Sequence, residues 1–284
     1  MAQNYQVDVK ALDEIPSVAP TLWVPFLEEE FISSIAKCNN LSNSGPDKLS
    51  WRHLKSIINN KACLRIIINI TNVCFELGHW PSHFKTSMMI VIPKPNKELY
   101  DSPKSFYPIV LLNILGKLIE KVISDHLKFH TISNNFIHQS QLSSLKYRST
   151  TNMGVILIHF IYMGWIRNNM TTTLSFGIAQ FFPLLNHFIF SHILRKVGFN
   201  SKVKHFFSNY LVDRKTWYLW NNFSLSFFNV DVGVGQGSAL SPILSALYLA
   251  PVLHILEKRL KIPVSILSFV DNGLFVEQSK SFTI

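Results

Sequence analysis

Asp271 and Asn272 are the side chains best placed for chemistry, because they stand between two runs of apolar, β-branched and aromatic residues. The stretch from Val264 to Val276 reads Val-Ser-Ile-Leu-Ser-Phe-Val-Asp-Asn-Gly-Leu-Phe-Val. Asn-Gly is typical of a two-residue type I′ hairpin turn, in which both central residues have φ > 0. A carboxylate held at such a tip suits a metal ligand. The alternative is an ordinary hairpin whose Asp and Asn serve only the turn.

Two glycine-containing stretches also stand out. Gly177 lies in a predicted strand from Thr171 to Ile178, where glycine usually marks a bulge or a close backbone approach. The turn from Val232 to Ser238 opens an apolar helix predicted over 240–256, so its free N–H groups could meet an anion.

The composition indicates a folded protein with an anionic partner. Of the 284 residues, 48% are apolar and 15% are charged, which excludes a disordered chain. Lys and Arg number 27 against 17 Asp and Glu, a formal charge of +10. We expect nucleic acid rather than lipid, because the sequence has no basic amphipathic helix of the membrane-binding type.

The positive charge is concentrated in one stretch. From His126 to Val212 there is no Asp or Glu, and eight cations are interleaved with aromatic residues. Such a pattern favours a surface that faces phosphates. A solvated basic face with a chance depletion of acids is the alternative.

Other features exclude several classes of protein. The three cysteines, Cys38, Cys63 and Cys74, form no Cys-x-x-Cys pair and are interpreted as buried thiols in a reducing compartment. Met1 to Lys10 is polar, so no signal peptide is expected. The apolar stretches 153–166 and 239–256 are predicted to be buried helices rather than membrane spans. We therefore expect an intracellular protein, nuclear or cytoplasmic, with no membrane partner.

Both helices and strands are predicted along the chain. Leu115, Leu118, Ile119, Val122, Ile123 and Leu127 recur at helical spacing, and Lys117, Glu120, Lys121 and Asp125 lie on the other face of this predicted helix. The remaining predicted helices cover residues 54–77, 153–167, 186–197 and 201–211, and the remaining strands cover 88–92, 216–221 and 225–232.

Taken in series, these stretches resemble the reverse transcriptase domain of non-LTR retrotransposons, in the form found in fungal elements. The likeness covers residues 41–284, and its motifs keep the order found in the family. The motifs are Gly45-Pro46-Asp47, Ile92-Pro93-Lys94-Pro95, Ser105 to Ile119, Tyr147 to Thr151, Leu174 to Pro183, Gln236 to Pro242 and Phe269-Val270-Asp271.

The resemblance implies an α+β right-hand polymerase fold with fingers at about 41–168 and most of a ferredoxin-like palm at about 169–284. Residues 1–40 would form an N-terminal arm. The thumb would be absent and the palm truncated, which would leave an unpaired strand edge. The implied activity is RNA-directed DNA synthesis on an RNA or DNA template–primer with deoxynucleoside triphosphates. No protein partner can be inferred.

Polymerases of this family hold two Mg²⁺ ions on three Asp residues, one from the first palm strand and two from the hairpin. Here only Asp271 matches, because Gly177 and Asn272 stand at the other two positions. Tyr107 stands where the family has an Arg that helps to bind the triphosphate. We therefore expect an inactive or nearly inactive polymerase domain. The alternatives are a non-catalytic nucleic-acid-binding remnant and a decayed fragment without function.

Other positions match the family's binding residues. Phe182 matches the aromatic residue that excludes the 2′-hydroxyl, with a core phenylalanine as the alternative. Gln236 and Gly237 match the turn beneath the nucleotide and template, and Ser238 follows them in the nucleic-acid-binding motif. Lys94 matches a nucleotide-binding position and Arg148 a nucleic-acid-binding one, with a solvated surface role as the alternative for each.

Overall fold

The computed structural model describes residues 13, 19–20, 22–220, 223–260 and 265–281. It forms two compact units, each discontinuous in sequence. The larger unit comprises Ala19–His126 and Phe182–Ser241, and the smaller comprises Leu127–Phe181 and the described residues from Pro242 onward. Of the predicted N-terminal arm, residues 1–12, 14–18 and 21 lie outside the described residues.

The larger unit contains most of the helices and a five-stranded sheet. Its helices are α1 (Glu28–Ala36), α2 (Trp51–Ile58), α3 (Lys61–Glu76), α4 (Ile114–Ser133, which extends past His126), α6 (His187–Lys196) and α7 (Ser201–Leu211). Its strands are β1 (Thr86–Pro93), β2 (Phe106–Leu112), β4 (Arg214–Trp220), β5 (Phe223–Ser224) and β6 (Phe228–Val230). The strand order is β2-β1-β4-β5, and β6 also pairs with β4.

Strands from distant parts of the chain meet in this sheet. β1 pairs with β2 in antiparallel register, with Met89 opposite Val110. It pairs with β4 in parallel register, with Met88 opposite Trp217. The predicted fingers (41–168) and the predicted palm (169–284) therefore contribute strands to one sheet.

Aromatic residues fill the core of the larger unit. Phe75 of α3 stacks on Phe206 of α7 at 4.7 Å between ring centroids, and Trp80 meets Tyr210 edge-on at 5.5 Å. Trp23 stacks on Phe75 at 4.3 Å. Trp23, within the predicted arm, is thus packed against α3.

The smaller unit consists of a three-stranded antiparallel sheet between two helices. Its strands are β3 (Met170–Gly177), β7 (Ser265–Phe269) and β8 (Asn272–Ser279), in the order β3-β8-β7. Its helices are α5 (Thr150–Ile166) and α8 (Ser241–Arg259).

Alternation along the strands explains this arrangement, because successive side chains of a strand point to opposite faces. Leu267 and Val276 belong to a cluster with Ile156 of α5. Ile266 belongs to a second cluster with Leu253 of α8. Both faces of the sheet are therefore covered by apolar side chains.

The structure corrects two predictions about helices. The helix predicted over 54–77 is divided into α2 and α3, because the Asn60 side chain caps α3 by accepting from the N–H groups of Ala62 and Cys63. The apolar stretch 153–166 forms α5 but is not buried throughout, since Val155, Tyr162 and Trp165 are exposed. Among the described residues, no helix combines the length and apolar character needed to cross a bilayer.

Candidate functional site

The sheet of the smaller unit brings positions 177, 271 and 272 together. Gly177, at the end of β3, pairs with Asn272, the first residue of β8. The Ile178 N–H donates to the Asp271 carbonyl oxygen at 2.7 Å and continues the ladder by one step. The position at the end of β3 therefore lies beside the hairpin tip.

The turn of this hairpin lies two residues before the predicted one. Phe269 pairs with Asn272, so Val270 and Asp271 form the turn, and Val270 has φ 56°. Gly273 lies within β8 opposite Ser268 and Phe176. A Cβ at Gly273 would lie 2.2 Å from Phe176 Cζ, so contact with this ring, rather than a positive φ, requires the glycine. The type I′ turn predicted at Asn272-Gly273 is wrong.

Val270 holds an uncommon conformation at the tip. A positive φ is unfavourable for a β-branched residue and costs about 1–3 kcal/mol, which the surrounding structure must offset. Val270 packs against the apolar cluster that contains Leu253 and Ile266. This packing holds the backbone that presents Asp271.

The groups at the tip are one carboxylate, one amide and one glycine. The Asn272 side-chain Nδ2 donates to Asp271 Oδ1 at 3.1 Å, and Asn272 Oδ1 lies 3.2 Å from where a Cβ at Gly177 would be. The amide thus lies between the one carboxylate and the glycine. Two Mg²⁺ ions need several hard oxygen ligands, and these residues supply one carboxylate and one amide.

Glu277, on the same strand, does not replace the missing carboxylates. It pairs with Thr172 of β3, five positions along the ladder from Gly177. At about 3.3 Å per residue, that is about 17 Å from Gly177. Glu257 is hydrogen-bonded to His138 through its Oε2, at 2.8 Å.

The glycine-rich turn before α8 meets a carboxylate from its own unit. Glu120 is 1% exposed and accepts hydrogen bonds from Tyr210 Oη at 2.7 Å, Ser238 Oγ at 2.7 Å and the Ala239 N–H at 3.2 Å. The expectation that Glu120 lies on the polar face of its helix is wrong. The anion that the turn was predicted to bind is this side chain. Glu120 directly follows the Ser105–Ile119 motif, and the sequence gives no signal for its burial, because its helical spacing matches the polar face.

A buried charge network surrounds Glu120. Burial and the neighbouring Glu120 carboxylate raise the pKa of the Tyr210 hydroxyl far above its ordinary value. Burial opposes the charge of Arg214, yet Tyr210 and Glu120 hold the pKa of its guanidinium above the ordinary value. Arg214 lies over the Tyr210 ring at 4.7 Å from the centroid. Arg214 therefore offsets the negative charge of Glu120 inside the larger unit.

The turn is also fixed against β2. The Val110 N–H donates to the Gln236 carbonyl oxygen at 2.7 Å. Gly237 has φ +126°, and a Cβ there would lie 2.3 Å from the Val110 carbonyl oxygen. Ser238, predicted to bind nucleic acid, is buried, and its hydroxyl donates to Glu120 Oε2. Gln236 remains partly exposed.

Lys94 and Tyr107 lie together beside the β1–β2 pair. Tyr107 pairs with Ile92, is 45% exposed, and has Lys94 Nζ at 4.8 Å from its ring centroid. The cation–π contact places an ammonium group next to the position where an Arg was expected. An ammonium group can bind phosphate as a point charge.

Phe182 and Arg148 have structural contacts of their own. The Phe182 carbonyl oxygen accepts from the Val234 N–H at 2.9 Å. The Arg148 guanidinium donates to the carbonyl oxygens of His138, Gln139 and Gln141, and burial lowers its pKa. Arg148 therefore holds the 138–141 loop, a role that the sequence analysis did not consider.

Three cations of the acid-free stretch line one concavity of the larger unit. This concavity has a volume of about 640 Å³, and Arg195, Lys202, Lys204 and His205 line it. Lys202 also forms an ion pair with Glu76. The remaining positive groups are positioned to attract an anionic ligand.

The sequence is similar to known polymerases over most of its length. Residues 92–282 match the family described as reverse transcriptase (RNA-dependent DNA polymerase). A probable RNA-directed DNA polymerase from transposon BS of Drosophila melanogaster is 26% identical over 257 residues, which are 87% of this chain and 27% of that protein.

Two further relatives are similar over shorter spans. A probable RNA-directed DNA polymerase from transposon X-element of Drosophila melanogaster is 23% identical, over 79% of this chain and 24% of that protein. A retrovirus-related Pol polyprotein from the type-1 retrotransposable element R1 of Bradysia coprophila is 22% identical, over 42% of this chain and 12% of that protein. The chain spans about a quarter of the length of the first two relatives. All three are insect elements, so a fungal form of the domain stays a prediction.

Proposed function

The chain belongs to the reverse transcriptase (RNA-dependent DNA polymerase) family, and from this premise we propose that it is a retrotransposon polymerase domain with little or no catalytic activity. In this proposal the sheet of β3, β7 and β8 belongs to the palm, and β1 and β2 belong to the fingers. The ligands would be an RNA or DNA template–primer and deoxynucleoside triphosphates.

The observation that supports impaired catalysis is the pairing of Gly177 with Asn272 beside Asp271. The strand pairing is the one expected for the palm of such a polymerase, and only one of the three positions carries a carboxylate. Metal-assisted charge stabilisation is worth several kcal/mol, and each 1.4 kcal/mol changes a rate about tenfold. Loss of two ligands should therefore lower turnover on the order of a thousandfold or more.

The residues proposed to bind the substrates belong to the larger unit. Lys94 and Tyr107 would approach the triphosphate, Gln236 and Gly237 the nucleotide and template, and Phe182 the sugar. These assignments rest on the motif positions together with the exposure of Lys94, Tyr107 and Gln236. For Arg148, its hydrogen bonds to the 138–141 loop favour a positioning role over direct contact with nucleic acid.

Primer extension on an RNA template with Mg²⁺ or Mn²⁺ tests the proposal. The natural sequence should show little or no extension, whereas a Gly177→Asp and Asn272→Asp double variant should extend the primer on the order of a thousandfold faster. Gly177 can accept the change, because its φ is not positive and the nearest atom belongs to the exposed Asn272 side chain.

A variant of equal charge provides the control. Thr173→Asp with Asn272→Asp adds the same two carboxylates, but one of them lies four residues along β3, about 13 Å away. This control should stay inactive. If the natural sequence extends the primer and Asp271→Ala abolishes this activity, the proposal of impaired catalysis is wrong. If the double variant is inactive, the two missing carboxylates are not the cause of the impairment.

A non-catalytic nucleic-acid-binding protein is the second candidate function. The concavity lined by Arg195, Lys202 and Lys204 favours it, because such cations can bind phosphates without any metal site.

A further inference from the structure

His138, His254 and Glu257 form a side-chain cluster in the smaller unit, and none of them belongs to the polymerase motifs. Each residue offers one ligand atom, and the three atoms lie within 4.8 Å of one another. His254 and Glu257 are three residues apart on α8, so their side chains share one face of the helix. His138 comes from the loop after α4.

The buried member of the cluster is held in a fixed orientation. His138 is 3% exposed, and its Nε2 lies 2.8 Å from Glu257 Oε2. Its Nδ1 is hydrogen-bonded to Ser140 Oγ and accepts from the Ser140 N–H at 3.2 Å. Because Nδ1 accepts this N–H, the neutral ring carries its proton on Nε2 and donates it to Glu257. Metal binding through Nε2 would move this proton to Nδ1, where Ser140 Oγ can accept it.

The ligand types indicate the class of metal. Two imidazoles and one carboxylate suit Zn²⁺ and neighbouring divalent transition metals, whereas Mg²⁺ prefers oxygen ligands alone. Three protein ligands leave one position of a tetrahedral ion for water. A concavity of about 290 Å³, lined by His138, Ser140 and Glu257, adjoins the cluster and gives solvent access.

We propose that His138, His254 and Glu257 bind one divalent transition metal ion, with Zn²⁺ as the representative ion. Bonds of about 2.0–2.2 Å require donor atoms about 3.3–3.5 Å apart, so the widest separation, at most 4.8 Å, must shorten by up to about 1.4 Å. His254 and Glu257 are exposed and can make this movement while His138 stays in place.

The ion would stabilise the edge of the sheet that carries Asp271. The loop that contains His138 pairs with β7, since the Leu142 N–H donates to the Ser268 carbonyl oxygen at 2.7 Å and the Ser268 N–H donates to the Ser140 carbonyl oxygen at 2.9 Å. A metal that joins His138 to α8 therefore connects this loop to the helix that covers one face of the sheet. The site acts on β7, which leads directly into the Val270-Asp271 turn.

Calorimetric titration of the metal-free full chain with ZnCl₂ tests the proposal. We expect one ion per chain, with the affinity lowered about a hundredfold or more in His254→Ala and in Glu257→Gln, since even changes to outer-shell partners cost about 10- to 100-fold. Both residues are exposed, so these variants should fold, whereas the buried His138 is a poorer test.

Matched variants separate this site from other Zn²⁺ contacts. His159→Ala removes an exposed histidine of the same unit, and Asp271→Ala removes the polymerase carboxylate; both should bind Zn²⁺ like the natural sequence. Hydrogen exchange at the Leu142 and Ser268 amides should slow when Zn²⁺ is bound. Absence of binding, or equal affinity in His254→Ala, overturns the proposal, and neither result bears on the polymerase assignment.

Discussion

Gly273 shows how one residue type can serve two different physical purposes. In the sequence, Asn272-Gly273 indicates a turn, because both residues tolerate a positive φ. In the structure, the Gly273 backbone lies in β8 and the Phe176 ring occupies the space where a Cβ would be. The Phe176 ring also contacts the Phe275 ring, with 5.0 Å between the centroids and a tilt of 33° between the planes.

Substituting Gly273 by Ala should therefore destabilise the protein by about 1–3 kcal/mol through overpacking. In a double-mutant cycle with Phe176→Ala, the two changes should cost less together than the sum of the single changes, because the shorter side chain makes room for the Cβ. Urea unfolding measures the free energies.

Gly154→Ala is the matched control for this prediction. Gly154 lies inside α5, and a Cβ there would meet no atom within 4 Å. The same substitution should stabilise the protein by about 0.5–1 kcal/mol, because alanine restricts the unfolded chain and favours helix. Additive costs for Gly273→Ala and Phe176→Ala would contradict the packing explanation.

At the scale of elements, the turn before α8 is held by Glu120 of α4. Its carboxylate accepts hydrogen bonds from Tyr210, Ser238 and Ala239, and Arg214 balances its charge. The turn therefore has a built-in anion, and its shape does not depend on a bound ligand.

Glu120→Gln should lower the free energy of unfolding by about 2–4 kcal/mol, because an amide cannot accept from all three donors and leaves buried groups unpaired. Thermal or urea unfolding measures the loss. Asp125→Asn on the same helix is the control, since Asp125 forms a 3.9 Å surface ion pair with Lys37 and its substitution should change stability by at most about 0.5 kcal/mol. Equal effects of the two variants would refute a special role for Glu120.

At the scale of the whole molecule, charge is the dominant feature. The formal charge of +10 and the acid-free stretch from His126 to Val212 predict an anionic partner, and three of its cations line one concavity. Binding of this kind releases counterions and weakens steeply with salt.

Duplex and single-stranded nucleic acid should bind with a steep negative slope of log affinity against log salt. Arg195→Ala and Lys204→Ala should each reduce the magnitude of the slope by about 1 if the cation contacts a phosphate. Lys61→Ala, an exposed lysine outside the acid-free stretch, should leave the slope unchanged. Fluorescence anisotropy titrations at several salt concentrations provide the measurement, and a flat slope would exclude a phosphate-binding surface.

The sequence alone determined the family and most elements, because these depend on local order. Motif order identified the reverse transcriptase family, and β3, α6 and α7 begin and end within about one residue of prediction, since periodicity and Asn caps are local signals. The absence of carboxylates at positions 177 and 272 is likewise readable without any structure.

Only the tertiary structure decided which groups meet across the chain. Burial of Glu120 beneath the turn, the contact of Gly273 with Phe176, and the meeting of His138 with His254 and Glu257 join residues far apart in sequence. Helical spacing places Glu120 on a polar face, and nothing local reveals that Tyr210 and Arg214 complete its surroundings. Periodicity gives the direction of a side chain, but the partner it finds depends on how distant elements pack.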